Sequence, residues 1–377
     1  VKRVLFVANG HGETAIAACL AEHVAAVAAA PTGLDLLPLV GTGAGAEPLA
    51  VVGPRGTMPS GGLVAMVNVP ALAADVRAGY LALLGRQVTF LRAAGARYDA
   101  LVAVGDAFAL ALALLARERT VFVGTAKSVF VAPYGPLERA LLRAAQRTFV
   151  RDVATARHLR ARGVAAEAPG NVIVDMVRGG RPPAGSWLGL LPGSRAEAYP
   201  DAVRLARVAL ALGRLRPGLG ALLSVAPTLD AMHLATMLAR DGWTVEPGHG
   251  DMPFRAQRAN MQLAAWGGPF GALLGASVAV VGQAGTANEQ AAAYGVPVFA
   301  LRGPGAHRED WYRMRQRRLL GDALLLVPPG PAEAAAAIDV RLVDAARVAR
   351  MRAAGAERMG PPGGAAVIAR AIVEAAA

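Results

Sequence analysis

Arg178-Gly179-Gly180-Arg181-Pro182-Pro183-Ala184-Gly185-Ser186 runs directly into Trp187-Leu188-Gly189-Leu190-Leu191-Pro192-Gly193-Ser194-Arg195, and this junction decides the fold. The first stretch joins turn formers to a proline pair, the composition of a linker. The second is a short apolar strand, Trp187–Leu191, that breaks at once into a Pro-Gly turn. On both sides, apolar runs of strand length alternate with longer Ala/Leu/Arg stretches of helical period, the pattern of βαβ units and parallel sheets. Upstream, strands are expected at Val4–Ala8, Leu34–Val40, Ala100–Gly105, Val121–Gly124 and Thr148–Arg151. Helices are expected at Glu13–Ala29, Ala71–Ala94, Phe108–Arg117, Pro136–Gln146 and Val153–Arg162. Downstream, strands follow at Ala221–Ala226, Gln262–Ala265, Ser277–Val281 and Pro297–Leu301. The expectation is an α/β protein of two Rossmann-like domains facing a central cleft. The N-terminal domain spans 1–178 and the C-terminal one 186–360. A terminal helix within 361–377, apolar over Gly364–Ala376, either crosses back to the first domain or caps the second.

The 377 residues suit two cores better than one. Apolar residues make up 54% of the chain and charged ones 18%, which supplies those cores and excludes a disordered composition. The formal charge is +12, carried almost wholly by arginine, since Lys2 and Lys127 are the only lysines. Such a surface attracts nucleotide phosphates or acidic headgroups. Nucleic acid is not expected as a partner, because no binding module and few aromatics are present. Cys19, the single cysteine, excludes an internal disulfide and reads as a small core residue; no zinc-ligand spacing occurs. Val4-Leu5-Phe6-Val7-Ala8 enters a strand with no secretory apolar region before it, and the longest apolar stretch, Ala100–Ala116, is broken by Gly105 and Asp106. The expected location is therefore cytoplasmic.

Four motifs sit where such strands give way to helices, the edge at which parallel sheets bind ligands. Asn9-Gly10-His11-Gly12-Glu13 follows the first strand: its glycines admit a ligand close to the backbone, and His11 suits a general base or a contact to acceptor or phosphate. The other reading is a tight turn with Glu13 favoured by the helix dipole. Val104-Gly105-Asp106 ends a buried strand, so Asp106 is either a base at that edge or the cap of the next helix. Pro192-Gly193-Ser194-Arg195 offers backbone N–H groups, a hydroxyl and a guanidinium fork to a diphosphate, without the Gly-Lys-Ser/Thr of a P-loop. Gly282-Gln283-Ala284-Gly285-Thr286-Ala287-Asn288-Glu289-Gln290 places small residues at a helix start, a phosphate cradle, with Glu289 and Gln290 one turn on and suited to ribose hydroxyls. Gly41–Gly62 is a Gly/Pro-rich segment that reads as a surface loop or an acceptor loop. Arg139, Arg143 and Arg147 recur every four residues on one expected helix beside Leu137, Leu141 and Leu142, which is either a solvated face or a stripe for anionic lipid.

The order of Asn-Gly-His-Gly-Glu, Val-Gly-Asp, Pro169-Gly170-Asn171-Val172-Ile173-Val174-Asp175, Leu-Leu-Pro-Gly-Ser-Arg and Gly-Thr-Ala-Asn-Glu-Gln resembles the lipid-A-disaccharide synthase family, in a divergent branch, over nearly the whole chain. The Pro-Gly-Ser-Arg and Gly-Thr-Ala elements are its most specific parts. That family is similar to the wider GT-B group, which includes the peptidoglycan GlcNAc transferase and the UDP-GlcNAc 2-epimerases. The resemblance implies a GT-B glycosyltransferase that inverts the anomeric centre and uses no active-site metal and no cofactor beyond its UDP-sugar donor, a GlcNAc-type sugar. It also implies a lipid-linked or glycolipid acceptor met at the inner face of the membrane. By the same resemblance Asp106 falls on an essential aspartate, Ser194 and Arg195 on the phosphate loop, and Thr286 at the phosphate-binding helix start; Gly193, Gly285 and Ala287 beside them complete the expected nucleotide-sugar site. The synthases' ribose-binding Glu aligns with Gln290, one place after Glu289. Gln316 falls where GT-B enzymes touch the donor sugar, in the basic helix that His307-Arg308-Glu309-Asp310-Trp311-Tyr312 opens. Asn9, Gly10, Gly12 and Glu13 are then acceptor-side residues, with Asp106 or His11 as the base. A nucleotide-sugar 2-epimerase and a non-catalytic sugar-nucleotide or lipid binder are the alternatives on this fold.

Overall fold

The computed structural model describes residues 2–58, 69–116, 119–303 and 307–377, and only the backbone of 69–72 and 307–310. The end of the Gly41–Gly62 segment and the side chains of 307–310 thus lie outside the described residues. The chain divides into two units, Val1–Met176 together with Gly360–Ala377, and Val177–Met359.

In the first unit the elements are β1 (Lys2–Asn9), α1 (His11–Val27), β2 (Thr32–Val40), β3 (Ala50–Val51), α2 (Val69–Arg77), α3 (Tyr80–Ala94), β4 (Ala100–Gly105), α4 (Ala107–Leu114), β5 (Thr120–Gly124), α5 (Pro136–Ala144), β6 (Arg147–Val150), α6 (Val153–Arg160), β7 (Ala166–Glu167) and α7 (Val172–Asp175). The seven strands form one sheet in the order β3-β2-β1-β4-β5-β6-β7, parallel throughout. β4 is apolar along its length and buried, as is β1 from Val4 to Ala8, as strands covered on both faces must be. One core joins Leu5, Val7, Leu101 and Ala103 to Leu91, Leu110, Tyr134 and Leu159 from the helices and loops around them.

In the second unit β8 (Ser186–Leu191), α8 (Ala198–Leu215), β9 (Leu219–Ser224), α9 (Ala231–Arg240), β10 (Thr244–Pro247), β11 (Phe254–Arg258), β12 (Met261–Trp266), α10 (Phe270–Ala276), β13 (Ser277–Gly282), α11 (Thr286–Ala293), β14 (Val298–Leu301), α12 (His307–Leu320), β15 (Leu324–Val327), α13 (Pro331–Val343) and α14 (Ala345–Met359) follow in turn. The sheet order is β10-β11-β12-β9-β8-β13-β14-β15. Only β10, β11 and β12 pair antiparallel; the remaining six-strand run is parallel. With the parallel strands of each unit numbered in chain order, the runs read 3-2-1-4-5-6-7 and 3-2-1-4-5-6, the order that reverses direction beside its first strand and opens a crevice there.

α15 (Gly364–Ala376) belongs to the first unit and packs along α1. Ala365, Ile368, Ala369, Ile372 and Ala376, at helical spacing, are buried. Its start is held by Asp175, whose carboxylate accepts from Gly363 N–H at 2.5 Å and Ala365 N–H at 2.7 Å. The Pro169–Asp175 motif thus has a structural role: Asn171 caps α7 and Asp175 caps the returning helix.

Three expectations are corrected. The single helix expected over Ala71–Ala94 is two, broken at Gly79, whose φ of +93° ends one helix and starts the next. The antiparallel β10–β11 hairpin was not foreseen. The arginine stripe does not exist: α5 stops at Ala144, Arg147 lies in β6 on Glu167, Arg143 donates to the carbonyls of Arg162 and Gly163, and Arg139 to that of Tyr134.

Candidate functional site

Each unit has its crevice where the strand order reverses, and the motifs singled out in the sequence fall on both. In the first unit it lies between the ends of β1 and β4. Asn9 closes β1, Gly10 is the N-cap of α1, and His11, Gly12 and Glu13 form its first turn. Gly105 closes β4 and Asp106 caps α4.

Asp106 is bonded on both oxygens. Oδ1 accepts from the N–H groups of Phe108 (3.1 Å) and Ala109 (2.9 Å), and Oδ2 from Asn9 Nδ2 (3.0 Å). Glu13 differs. Its carboxyl lies between two glycines: a Cβ on Gly10 would stand 3.0 Å from its Oε2, and one on Gly105, where φ is +117°, 2.7 Å from its Cγ. Burial pushes this carboxyl up to about 6; its own backbone N–H opposes the shift and the charge of Asp106 adds to it. The sequence marked Glu13 as a first-turn or acceptor-side residue, and its packing against Gly105 of β4 has no local signal. His11 is exposed and rests on Gly41 at the end of β2, where a Cβ would stand 3.6 Å from its Cε1. Tyr80, at the start of α3, is also drawn in: burial raises its hydroxyl, and the charges of Asp106 and Asp75 raise it further. Asn9 Oδ1 is buried and has no hydrogen-bond partner among the described residues.

In the second unit the crevice lies between β8 and β13. The Leu191 carbonyl, last in β8, accepts from both Gln283 N–H (2.9 Å) and Ala284 N–H (3.2 Å), which locks the two loops edge to edge. Beyond this clasp Ser194, Arg195 and Thr286 are exposed, with Gly193 and Gly285 half-buried beside them. Thr286 opens α11, whose unpaired N–H groups and dipole favour an anion. Glu289 and Gln290 follow one turn on, half-buried, with Ala287 between.

Gln316 is 5% exposed and turned inward. Its Nε2 donates to the carbonyls of Ala284 (3.1 Å) and Gly285 (2.9 Å), and its Oε1 accepts from Asn288 Nδ2 (3.1 Å), which also reaches the Gly282 carbonyl (3.2 Å). With both ends of its amide engaged, Gln316, expected from the sequence to touch a donor sugar, braces the loop before α11 from α12. The residue that sequence reasoning missed is Tyr312, one turn earlier. Its hydroxyl stands 2.6 Å from where a Cβ on Gly285 would be, so the phenol rests directly on this glycine. Burial of that hydroxyl end raises its pKa, Glu289 raises it further, and Arg313, Arg195 and Arg315 oppose this. Arg195 and Glu289 therefore act on the same phenol. Among the described residues no group of three or more His, Cys, Asp or Glu is placed to hold a metal. No described helix is long and apolar enough to cross a membrane.

No family model and no curated protein matches the sequence. Solved structures do match the fold. Acinetobacter baumannii MurG superposes with a TM-score of 0.59 at 14% identity, covering 99% of this chain and 100% of its own. Phytolacca americana UGT2, complexed with UDP-2-fluoro-glucose and pterostilbene, gives 0.60 at 12% identity over 100% of both chains. The UDP-GlcNAc 2-epimerase of Neisseria meningitidis, bound to UDP-GlcNAc, gives 0.55 at 12% identity over 99% of both. At these identities the likeness speaks for the fold alone: two parallel-sheet Rossmann-like domains of the GT-B kind.

Proposed function

We propose that the protein is a glycosyltransferase that moves a sugar from a UDP-sugar to an acceptor hydroxyl with inversion. The observation that carries this reading is the clasp of Gln283 and Ala284 on Leu191, which sets an exposed Ser194, Arg195 and Thr286 around the start of α11. This is a site for a diphosphate. Arg195 and the helix N-terminus would meet the charge that grows on the leaving nucleotide as the glycosidic bond breaks. Glu289 or Gln290 would take the ribose hydroxyls. In the first unit we assign the base to Glu13, because a carboxyl pushed up to about 6 lies near neutral pH, where a general base works best. Asp106 then fixes the edge on which Glu13 sits, and His11 with Asn9, Gly10 and Gly12 would contact the acceptor.

The finer reading, a GlcNAc-type donor and a lipid-linked acceptor as in the lipid-A-disaccharide synthases, extends this proposal. It draws on the net charge of +12 and on α12, which exposes Trp311 (61%) and Met314 (45%) among its arginines. Co-sedimentation with anionic vesicles, lost at high salt, checks it.

Thermal shift against UDP, UDP-GlcNAc, ADP and GDP tests the core of the proposal. A uridine diphosphate at 100 times its Kd stabilises by about 2.7 kcal/mol; no shift with any of them refutes nucleotide-sugar use. One observation favours a 2-epimerase as the second reading: Glu13 lies beside Asp106, with Asp75 and Tyr80 within electrostatic reach, a set able to move protons on both faces of a sugar. UDP-GlcNAc incubated alone separates the two, since an epimerase converts it without an acceptor.

A further inference from the structure

The unforeseen hairpin builds a second concave surface. Along β10, β11 and β12 the side chains alternate: Val245, Phe254, Ala256 and Leu263 turn to the core of the second unit, and their neighbours to the opposite face. Register aligns those neighbours in two rows. Thr244 pairs with Gln257 and Gln257 with Gln262 in one; Glu246 pairs with Arg255 and Arg255 with Ala264 in the other. The strand beyond β12 is β9, where Leu263 pairs with Ala221; one residue earlier the same register carries the first row to Gly220, which pairs with Trp187 of β8.

Gly220 is what shapes the surface. A Cβ there would stand 2.7 Å from the Trp187 ring, so the indole lies down across β9 towards the row of amides. Its Nε1 donates to the Ala184 carbonyl at 3.0 Å, which fixes the ring. The result is a groove of about 530 Å³, within the roughly 300–1,000 Å³ usual for small-ligand sites, with the indole as one wall and Ala264 in its lining. Gln257, Gln262, Glu246 and Arg255 border it and are exposed.

The chemistry of this groove is specific. It combines a held aromatic face, two planar amides and one carboxylate set opposite one guanidinium. The opposed charges balance, so the groove has no net attraction for an anion. A sugar ring matches each part: its C–H face lies on an indole, and its rim of hydroxyls both donates to and accepts from amides, carboxylate and guanidinium. We propose that this groove binds a neutral saccharide. It is separate from the diphosphate loops, since Trp187 lies four residues, roughly 13 Å, before the clasp at Leu191 on the same strand. The proposal stands whether or not the loops bind a nucleotide.

Saturation-transfer NMR on the full chain, with N,N′-diacetylchitobiose, maltose and cellobiose at millimolar concentration, tests it. The expected result is transfer to the ring protons of at least one of these, unchanged by excess UDP and reduced at least fivefold by Gln262→Ala and by Trp187→Ala. Because the indole also covers Gly220, Trp187→Ala is read only if its Tm stays near that of the parent. Gln262→Ala, at an exposed position, carries the test alone if it does not. Absence of transfer to all three sugars, transfer abolished by UDP, or transfer that survives Gln262→Ala overturns the proposal. Preferential binding of a sulfated oligosaccharide over the neutral ones overturns it as well.

Discussion

The two crevices are the same in topology and opposite in chemistry. Each opens beside the first strand of a parallel run that begins 3-2-1-4-5-6, and each is lined by a glycine-bearing loop and a helix start. Between β1 and β4 the residues that line it are carboxylates: Asp106 engaged by three donors, and Glu13 packed between glycines and pushed up to about 6. Between β8 and β13 they are an exposed hydroxyl pair, an arginine and unpaired backbone N–H groups. The fold supplies an edge where loops gather; a few residues decide whether carboxylates or hydroxyl, guanidinium and backbone N–H groups stand there.

The sharpest way to break this comparison is Glu13→Gln. If the first crevice supplies the base, turnover falls on the order of 10²–10⁴-fold, while the thermal stabilisation given by UDP is unchanged because the second crevice is untouched. Initial rates and a UDP titration on the same preparation read both. Equal loss of UDP binding would show that the division of labour is wrong.

Arg195→Ala probes the other side and is expected to do the reverse. Losing a charged hydrogen bond to phosphate costs about 1.5–3 kcal/mol, so UDP binds roughly 10- to 100-fold more weakly. Arg195 is exposed, so the melting temperature without nucleotide stays where it was. Calorimetric titration that finds less than a threefold change removes Arg195 from the diphosphate site.

Glu13→Gln carries a second, smaller consequence. Below about pH 4.5 this carboxyl is protonated in both folded and unfolded chains. Between there and about 6 the folded protein keeps a proton that the unfolded chain has released, so stability falls as pH rises through that window. The loss is complete above it, at about 2 kcal/mol for a shift of this size. Glu13→Gln removes it: the variant is expected to be more stable than its parent at pH 7.5, by up to that amount, and equal to it near pH 4. Denaturant midpoints at the two pH values measure this. A residue that lowers stability and raises turnover marks a working site.

What the sequence showed of these two crevices follows from how local each signal is. β4 was readable to the residue, because Ala100–Gly105 is a continuous apolar run ended by glycine. Asp106 as a cap was legible for the same reason, since it depends only on the N–H groups two and three residues on. The loops at Pro192–Arg195 and Gly285–Thr286 were likewise visible as strand, turn and helix start. The state of Glu13 was not, because its burial comes from Gly105, 92 residues away and on another strand. The bracing contact of Gln316 and the position of Tyr312 escaped in the same manner: one α12 turn sends an amide under the loop before α11 and a phenol over Gly285, and neither contact leaves a trace in local sequence. The β10–β11 hairpin was missed because its strands are only four and five residues long and half their side chains are polar.

Asp106 gives the smallest effect and the most discriminating one. Its two oxygens separate its two candidate roles, since Oδ1 caps α4 and Oδ2 ties to Asn9. Asparagine caps a helix as well as aspartate does. In Asp106→Asn the new amide can keep its oxygen on Phe108 and Ala109, and Asn9 can turn its own unpartnered Oδ1 to receive the amide N–H. Stability is therefore expected to stay within about 0.5 kcal/mol, while Asp106→Ala, with no cap, loses about 1 kcal/mol. Removing the charge also lowers the pKa of Glu13, because Asp106 helps to raise it, so the pH profile of Asp106→Asn moves to the acid side with its maximum rate within about threefold of the parent. A profile that keeps its position while the rate falls more than 100-fold in a fully stable Asp106→Asn would return the base to Asp106 and leave Glu13 as the residue that holds the edge together.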